Sequence, residues 1–487
     1  MKLPHAFSTR PARFAHHLIA LGSVCASVLL LSACAVGPDY QRPDATLPQQ
    51  WQEADSTTWQ AAAPQDAQPK GEWWKVFHDA TLDQLEQQAL AGSFTLKAAL
   101  ARLEQSRALL GISTAARSPS VDLSERSTRT RTSANRPATG SSAVTSTLQN
   151  DHVASLGVAY ELDLFGRIAR DVEAANASLE QSQADLENAK LILSADVAAA
   201  YFNLRTLEAD SDLLQRAVAL QERTYQLMQS RYELGAISGL DIAQQELLLG
   251  NTRSQWQLAQ RQQALQRHAL ATLLGLDAAG LNLEKGSLPQ ALPEVPLTLP
   301  AELLQRRPDI ASAERAVAAA NAQIGVAKSA WFPALRISAN DGVESKTWGT
   351  LFTAPSNAWS LGFAFSQMIY DGGRTSSRIA QAEAGHQLAT ANYRQVVLKA
   401  LQEVEDALIS RRTLAAATND SRRAANGADK AASITATRYR LGAATSLESL
   451  VTEQNALNAK RQVLALEGQQ WGNAVLLIKA FGGNWGE

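Results

Sequence analysis

The chain has 487 residues, enough for two or more ordinary domains, and a formal net charge of −2 at pH 7. That near-neutral balance leaves no electrostatic case for a nucleic-acid partner. The apolar content is carried mainly by Ala and Leu, with Gln, Glu and Arg filling the long segments, which is the mixture of long helices.

The first residues read as a targeting segment, 1–33. Lys2, Arg10 and Arg13 form a basic region, and "LIALGSVCASVLLLSA" (18–33) is an apolar run too short to stay across a bilayer. It ends in "LSAC" (31–34), small residues before a Cys, which a lipoprotein signal peptidase would cut to leave Cys34 acylated at a new N-terminus. The plainer alternative is an ordinary secretion signal that contains a Cys. Cys25 lies inside the signal, so no disulfide, Cys metal site or thiol nucleophile is expected in the mature chain. Several acyl chains hold a protein stably to a membrane, where one holds marginally. Ala35, in place of an Asp, favours outer-membrane rather than inner-membrane retention. Residues 34–72, rich in Pro, Gln, Asp and Ala, read as an extended tether rather than a packed domain.

Ordered structure is expected from "WWKVFHD" (73–79) onward, with Trp73, Trp74 and Phe77 as packing anchors. The remainder divides into two repeats, 73–290 and 291–487. "RYELGAISGLDI" (231–242) recurs as "RYRLGAATSLES" (438–449), 207 residues on. The same offset superposes "FGR" (165–167) on "GGR" (372–374) and Leu274-Gly275 on Phe481-Gly482. Upstream, "SPSVDLS" (118–124) pairs with "FPALRIS" (332–338) at an offset of 214, with a loop at 135–150 absorbing the difference.

Each repeat predicts the same order. A helix comes first, 81–115 and 308–330, with Pro308 and Asp309 suited to a first helical turn. A β-hairpin follows, about 118–165 and 332–371. A long helical hairpin ends the repeat, 167–275 and 374–482. In 155–162, Leu156, Val158, Tyr160 and Leu162 alternate with small or polar residues; in 359–366, Trp359, Leu361, Phe363 and Phe365 do so. Half-buried soluble strands and lipid-facing barrel strands both show this period. Four strands cannot close a useful barrel, so a barrel reading requires oligomerisation. No Gly or Pro interrupts 168–234, and no Pro interrupts 375–441, which implies helices of about 100 Å. The stripe Leu193, Val197, Ala200, Leu204, Leu207, Leu214, Val218, Tyr225, Met228 and Tyr232, with Ser211 and Gln221 in its gaps, has coiled-coil spacing. The second stripe, including Val404, Ala407, Leu414, Ala425, Ala428, Ala432 and Tyr439, is richer in Ala. A soluble helical bundle is the competing reading of these helices.

The repeated motif reads as a tight turn between antiparallel helices. Gly235 and Gly442 suit the left-handed position after a helix. Ser238 with Asp241, and Thr445 with Glu448, form capping-box patterns. No H-E-x-x-H, G-x-S-x-G or phosphate-binding loop is present and the His residues are scattered, so no enzyme and no cofactor other than the lipid on Cys34 is expected.

Taken with "CAVGPDY", "WWKVFHD", "LLQRRPDIASAERAVAAANAQIGVAKSAWFPALRIS" (303–338), "LFGR" and "KAFGGNW", the two motifs resemble the outer membrane factors of the TolC/OprM type, in the lipoprotein branch that serves RND efflux pumps. The resemblance spans nearly the whole mature chain, with Asn484 standing where another Gly is usual. It implies an α+β membrane protein: a homotrimer with a twelve-stranded outer-membrane β-barrel, four strands per chain, continued by a periplasmic α-helical coiled-coil barrel. It also implies a passive exit duct in the outer membrane of a Gram-negative cell, driven by an inner-membrane RND pump and docked to a periplasmic adaptor. Under that resemblance Asp241 and Glu448 form an acidic gate ring, in addition to or instead of capping their helices. Tyr232, Tyr439, Arg231 and Arg438 link neighbouring hairpins, and Leu234, Gly235, Ala236, Leu441, Gly442 and Ala443 dock the adaptor. Arg306, Arg307, Pro308 and Asp309 belong to the family pattern as structural residues. A type I secretion duct and a structural coiled-coil surface lipoprotein stay open as alternatives.

Overall fold

The computed structural model describes residues 35–44, 48, 51–53, 71–135, 146–289, 291–293 and 307–483. The targeting segment, Cys34, Arg306, Asn484 and most of the tether lie outside the described residues. Among the described residues the elements are α1 (Ala80–Gly92), α2 (Phe94–Ala115), β1 (Ser120–Arg131), β2 (Leu148–Leu162), α3 (Arg167–Glu233), α4 (Gly239–Leu273), α5 (Pro308–Ser329), β3 (Ala334–Ser345), β4 (Asn357–Ser366), α6 (Arg374–Arg440) and α7 (Ser446–Ala480). The duplication is legible to the residue. Helices α3 and α6 each hold 67 residues and begin 207 positions apart, and so do α4 and α7, each of 35. Helices α2 and α5, each of 22 residues, and strands β1 and β3, each of 12, are offset by 214.

One expected element differs. The helix expected over 81–115 is two helices, because the chain leaves helical geometry at Ser93. Asp79 caps the first of them, accepting from the amides of Thr81 and Leu82 at 2.9 and 3.1 Å.

Two compact units divide the chain, and each takes segments from both repeats. The first comprises 1–43, 104–180 and 314–391. It holds one antiparallel sheet of order β1-β2-β3-β4. The outer edges of β1 and β4 have no partner in the chain among the described residues. The pairing register puts Val121 and Leu123 beside Val158 and Leu156, Tyr160 beside Ile337, and Ile337 beside Phe363. Side chains alternate across a strand, so these residues share one face. The other face carries Asp122, Ser124, Arg126, Ser338, Asn340 and Glu344. The residues that follow the hairpins start the long helices: Asp163 accepts from the amides of Ile168 and Ala169, and Asp371 does the same for Thr375. Gly166 and Gly373 take positive φ at these corners, at 76° and 88°.

In the same unit the described start of the expected tether, 35–43, is held against the helices. Val36 donates its amide to Phe165, and Arg170 reaches the Val36 carbonyl and the Asp39 carboxylate. Asn321 donates to the Pro38 carbonyl, and Tyr40 donates to Glu314. Gly325 makes this approach possible: a Cβ there would lie 2.7 Å from the Val36 oxygen.

The second unit comprises 44–103, 181–313 and 392–487. Its core joins the repeats through aromatic rings. Trp73, Trp74 and Phe77 are buried, as the sequence predicts. Phe77 meets Phe202 of α3 edge-on, and Phe202 stacks on Trp471 of α7 with centroids 4.8 Å apart. Arg307, itself buried, pairs with Asp309 and Glu403 and donates to the Ala480 carbonyl. It satisfies an orphan carbonyl at the end of α7, a structural role.

Candidate functional site

The first candidate surface is the sheet face that carries the large apolar residues. Leu123, Trp359, Leu361, Phe363 and Phe365 are all more than three-fifths exposed. A soluble strand hides such a face; here no described residue covers it. From Leu335 to Val343 the face runs through nine residues, about 27 Å at 3.4 Å per residue, or about 20 Å once tilted, close to the apolar band of a membrane barrel, with Asp341 interrupting it beside Leu156 and Trp359 toward one end. Trp348, Phe352 and Trp359 lie toward one end, and Phe332, Met368, Ile369 and Tyr370 toward the other. Rings at both ends suit the two water–lipid interfaces. No described helix is long and apolar enough to cross a membrane.

The second surface is the pair of tips that join α3 to α4 and α6 to α7, all within the second unit. Both turns have the same construction. Gly235 has φ 69° and Gly442 has φ 71°. Gly235 and Ala236 return their amides to the carbonyls of Tyr232 and Arg231, and Gly442 and Ala443 return theirs to Tyr439 and Arg438. This bond pair closes a helix on a left-handed glycine. Both capping boxes form: Ser238 with Asp241 and Thr445 with Glu448. Leu234 and Leu441 stand 84% and 78% exposed, which no turn geometry requires.

Of the tyrosines and arginines, Tyr232 and Arg438 contact their own turns. The Tyr232 ring lies over Gly239, and Arg438 donates to the Ala443 carbonyl at 3.0 Å. Glu448 and Arg231 are exposed. The contact that joins one tip to the other is one the sequence does not reveal: the Ser446 hydroxyl donates to the second oxygen of Asp241. Bonds from Ser446 first, and from Ser238, hold the Asp241 carboxyl below the usual carboxylate range.

A second junction also escapes the sequence. Arg461 of α7 grips both oxygens of Asp210 on α3, at 2.7 and 3.0 Å, and donates to Gln255 of α4 at 2.9 Å. Nearby, Leu214, Ala259 and Leu457 pack together from the same three helices. Neither Asp210 nor Arg461 lies on a stripe that the sequence singles out, and nothing local names a partner 251 residues away.

A face suited to lipid, on a sheet continued in sequence by long helical hairpins with repeated tips, defines a membrane channel subunit. The chain belongs to the outer membrane efflux protein family, whose pattern matches residues 85–276 and 299–483, once per repeat. It is 31% identical over 471 residues to the probable efflux pump outer membrane protein TtgC of Pseudomonas putida, covering 96% of each chain. It is 32% identical over 469 residues to the outer membrane protein OprJ of Pseudomonas aeruginosa, covering 94% of this chain and 95% of that one. The crystal structure of the CmeC outer membrane channel of Campylobacter jejuni superposes with a TM-score of 0.87 at 25% identity, over 93% of this chain and 95% of that chain. The protein is thus an outer-membrane efflux channel protein of Gram-negative type, and the relatives are channels rather than enzymes.

Proposed function

We propose that three copies of this chain close into one twelve-stranded barrel, continued by a tube of long helical hairpins, and that the assembly is the passive exit duct of a tripartite efflux pump. The observation that carries this is the four-stranded sheet. It has two open edges and one face of exposed aromatic and aliphatic side chains. Open edges in a membrane leave backbone groups without partners, and closure with further copies removes them. Four strands are too few to close alone.

The hairpin tips dock a periplasmic adaptor through Leu234, Gly235, Ala236, Leu441, Gly442 and Ala443. The exposure of both leucines and the matching of the two turns support this, because a ring of like adaptor subunits meets two like surfaces per chain. An inner-membrane RND transporter supplies the energy. Asp241 and Glu448, three copies of each, make an acidic ring at the tips that favours cations, and Tyr232, Tyr439, Arg231 and Arg438 meet neighbouring hairpins across the subunit boundary. Cys34 carries the lipid. The Val36 amide bonds just beyond the end of β2, at the end of the sheet where β4 leads into exposed Ile369 and Tyr370, which suits an acyl chain entering the membrane at that rim.

The test is the mass of the purified protein in detergent, together with single-channel conductance in planar bilayers. A trimer with a small cation-selective conductance, enlarged or less selective in Asp241→Ala/Glu448→Ala, is the expected result. A folded trimer that forms no channel overturns the duct, and channels unaltered by the double substitution remove the acidic ring.

A further inference from the structure

Behind the tips, between α3 on one side and α6 and α7 on the other, lies a cavity of about 420 Å³. It belongs wholly to the second unit and is lined by one chain. Leu213, Ala217 and Leu220 of α3 form one wall, and Ala432, Ala436 and Leu457 face them. One water occupies about 30 Å³ of liquid, and sites for small organic molecules begin near 300 Å³.

Two polar side chains in the lining, Gln221 and Glu453, are incompletely satisfied among the described residues. Gln221 is 1% exposed, yet neither its amide nitrogen nor its amide oxygen is hydrogen-bonded. Leaving such an amide unmet costs about 1–3 kcal/mol. Gln245 beside it donates to the Gln221 main-chain carbonyl and has its own amide oxygen unmet. Glu453 of α7 is half-buried and forms no salt bridge among the described residues; its burial lifts its carboxyl above the usual range, with the Gln221 amide acting the other way. The remaining charges are accounted for. Asp429 and Lys460 pair with each other, and Arg216 stands exposed, making no salt bridge with Glu453. A carboxyl with no counter-ion among the described residues, an amide short of partners and apolar walls together suit a cation with an apolar body.

We propose that this cavity binds small amphiphilic ammonium compounds, with the ammonium between Glu453 and Gln221 and the apolar body against Leu213, Ala217, Leu220 and Ala436. Such a molecule touches both helical hairpins at once, α3 of the first and α6 and α7 of the second. Its occupancy therefore ties together the two elements whose separation would open a duct built from them.

The probe is 1-naphthylmethylamine, with 1-naphthylmethanol as its uncharged equivalent, measured by equilibrium dialysis against the full-length protein in detergent with protein-free micelles as blank. One saturable site per chain for the amine is expected, bound about tenfold or more tighter than the alcohol. Glu453→Gln, which keeps the shape, removes that preference. Ala436→Trp fills the cavity and abolishes saturable binding of both probes. Arg216→Ala tightens the amine about two- to threefold by removing a like charge at the mouth. Retained circular dichroism and oligomer mass show that the variants fold. Absence of a saturable component in the wild type overturns the site, as does amine binding that survives Ala436→Trp in a folded protein. Equal amine affinity in the wild type and Glu453→Gln overturns the assignment of the ammonium.

Discussion

Arg461 and Asp210 give the most direct handle on how firmly the two hairpins of one chain are held together. Arg461 makes two bonds to the carboxylate and one to Gln255, linking α7 to α3 and α4. The side chains are 31% and 17% exposed, between the solvated pair, at about 0–1 kcal/mol, and the buried one, at about 3–5 kcal/mol when broken. Two charged bonds in fork geometry, discounted for that exposure, give a coupling of about 1–2 kcal/mol. Removing it shifts an equilibrium between joined and separated hairpins about 5- to 30-fold per chain. The assay is a double-mutant cycle, Asp210→Asn and Arg461→Gln singly and together, read by thermal unfolding and by open probability in planar bilayers. Each single variant is expected to raise open probability, with the double variant little beyond either. Strictly additive effects, with a coupling under about 0.3 kcal/mol, or an unaltered open probability, would refute the junction as a restraint.

Other outcomes follow from neighbouring features. Ser446→Ala removes the bond between the tips, so the Asp241 carboxyl should rise toward the ordinary range in an NMR titration; an unmoved value disproves the contact. Because that carboxyl is held low in the folded state, the contact should be intact above the ordinary carboxylate range and lost as pH falls through the lower folded value, leaving conductance unchanged between pH 7 and pH 5. Glu86 behaves in the opposite sense. It is fully buried with both oxygens unpartnered, and burial, helped by the Asp83 charge, pushes its carboxyl up to about 9. The folded state then holds a proton that the unfolded state releases, so this residue's stability contribution declines as pH rises from about 4 to 9. Glu86→Gln should flatten that decline and stabilise by about 1–3 kcal/mol at pH 8 in thermal unfolding; an unchanged pH slope contradicts the assignment. Gly325→Val pushes a side chain into the Val36 carbonyl and the Arg170 side chain, and should expose residues 36–43 to limited proteolysis while the far-ultraviolet dichroism stays. Phe363→Arg, in the centre of the apolar sheet face, should cost about 2–4 kcal/mol of folding into lipid and far less in denaturant-free detergent; an equal, small effect in both argues against lipid contact.

The repeats, the long helices, the turns and the alternating strands were legible in the order of the residues. Each rests on a local rule: a glycine needed at positive φ, a capping box four residues long, a period of two or of three and a half. The duplication doubled every such signal, which is why 207 and 214 survive as the offsets between whole elements. The packing role of Trp73, Trp74 and Phe77 was also legible, since large rings beside an amphipathic helix have few other uses. Contacts between residues far apart in the chain emerged only with packing. Ser446 reaches Asp241 across 205 positions and Arg461 reaches Asp210 across 251. Nothing in the local pattern of either residue names its partner, because a charged side chain on a helix is equally consistent with water. The break at Ser93 and the binding of residues 36–40 along α3 and α5 belong to the same category. Both are set by what the backbone can approach, Gly325 against Val36 above all, and such an approach exists only once the helices have packed.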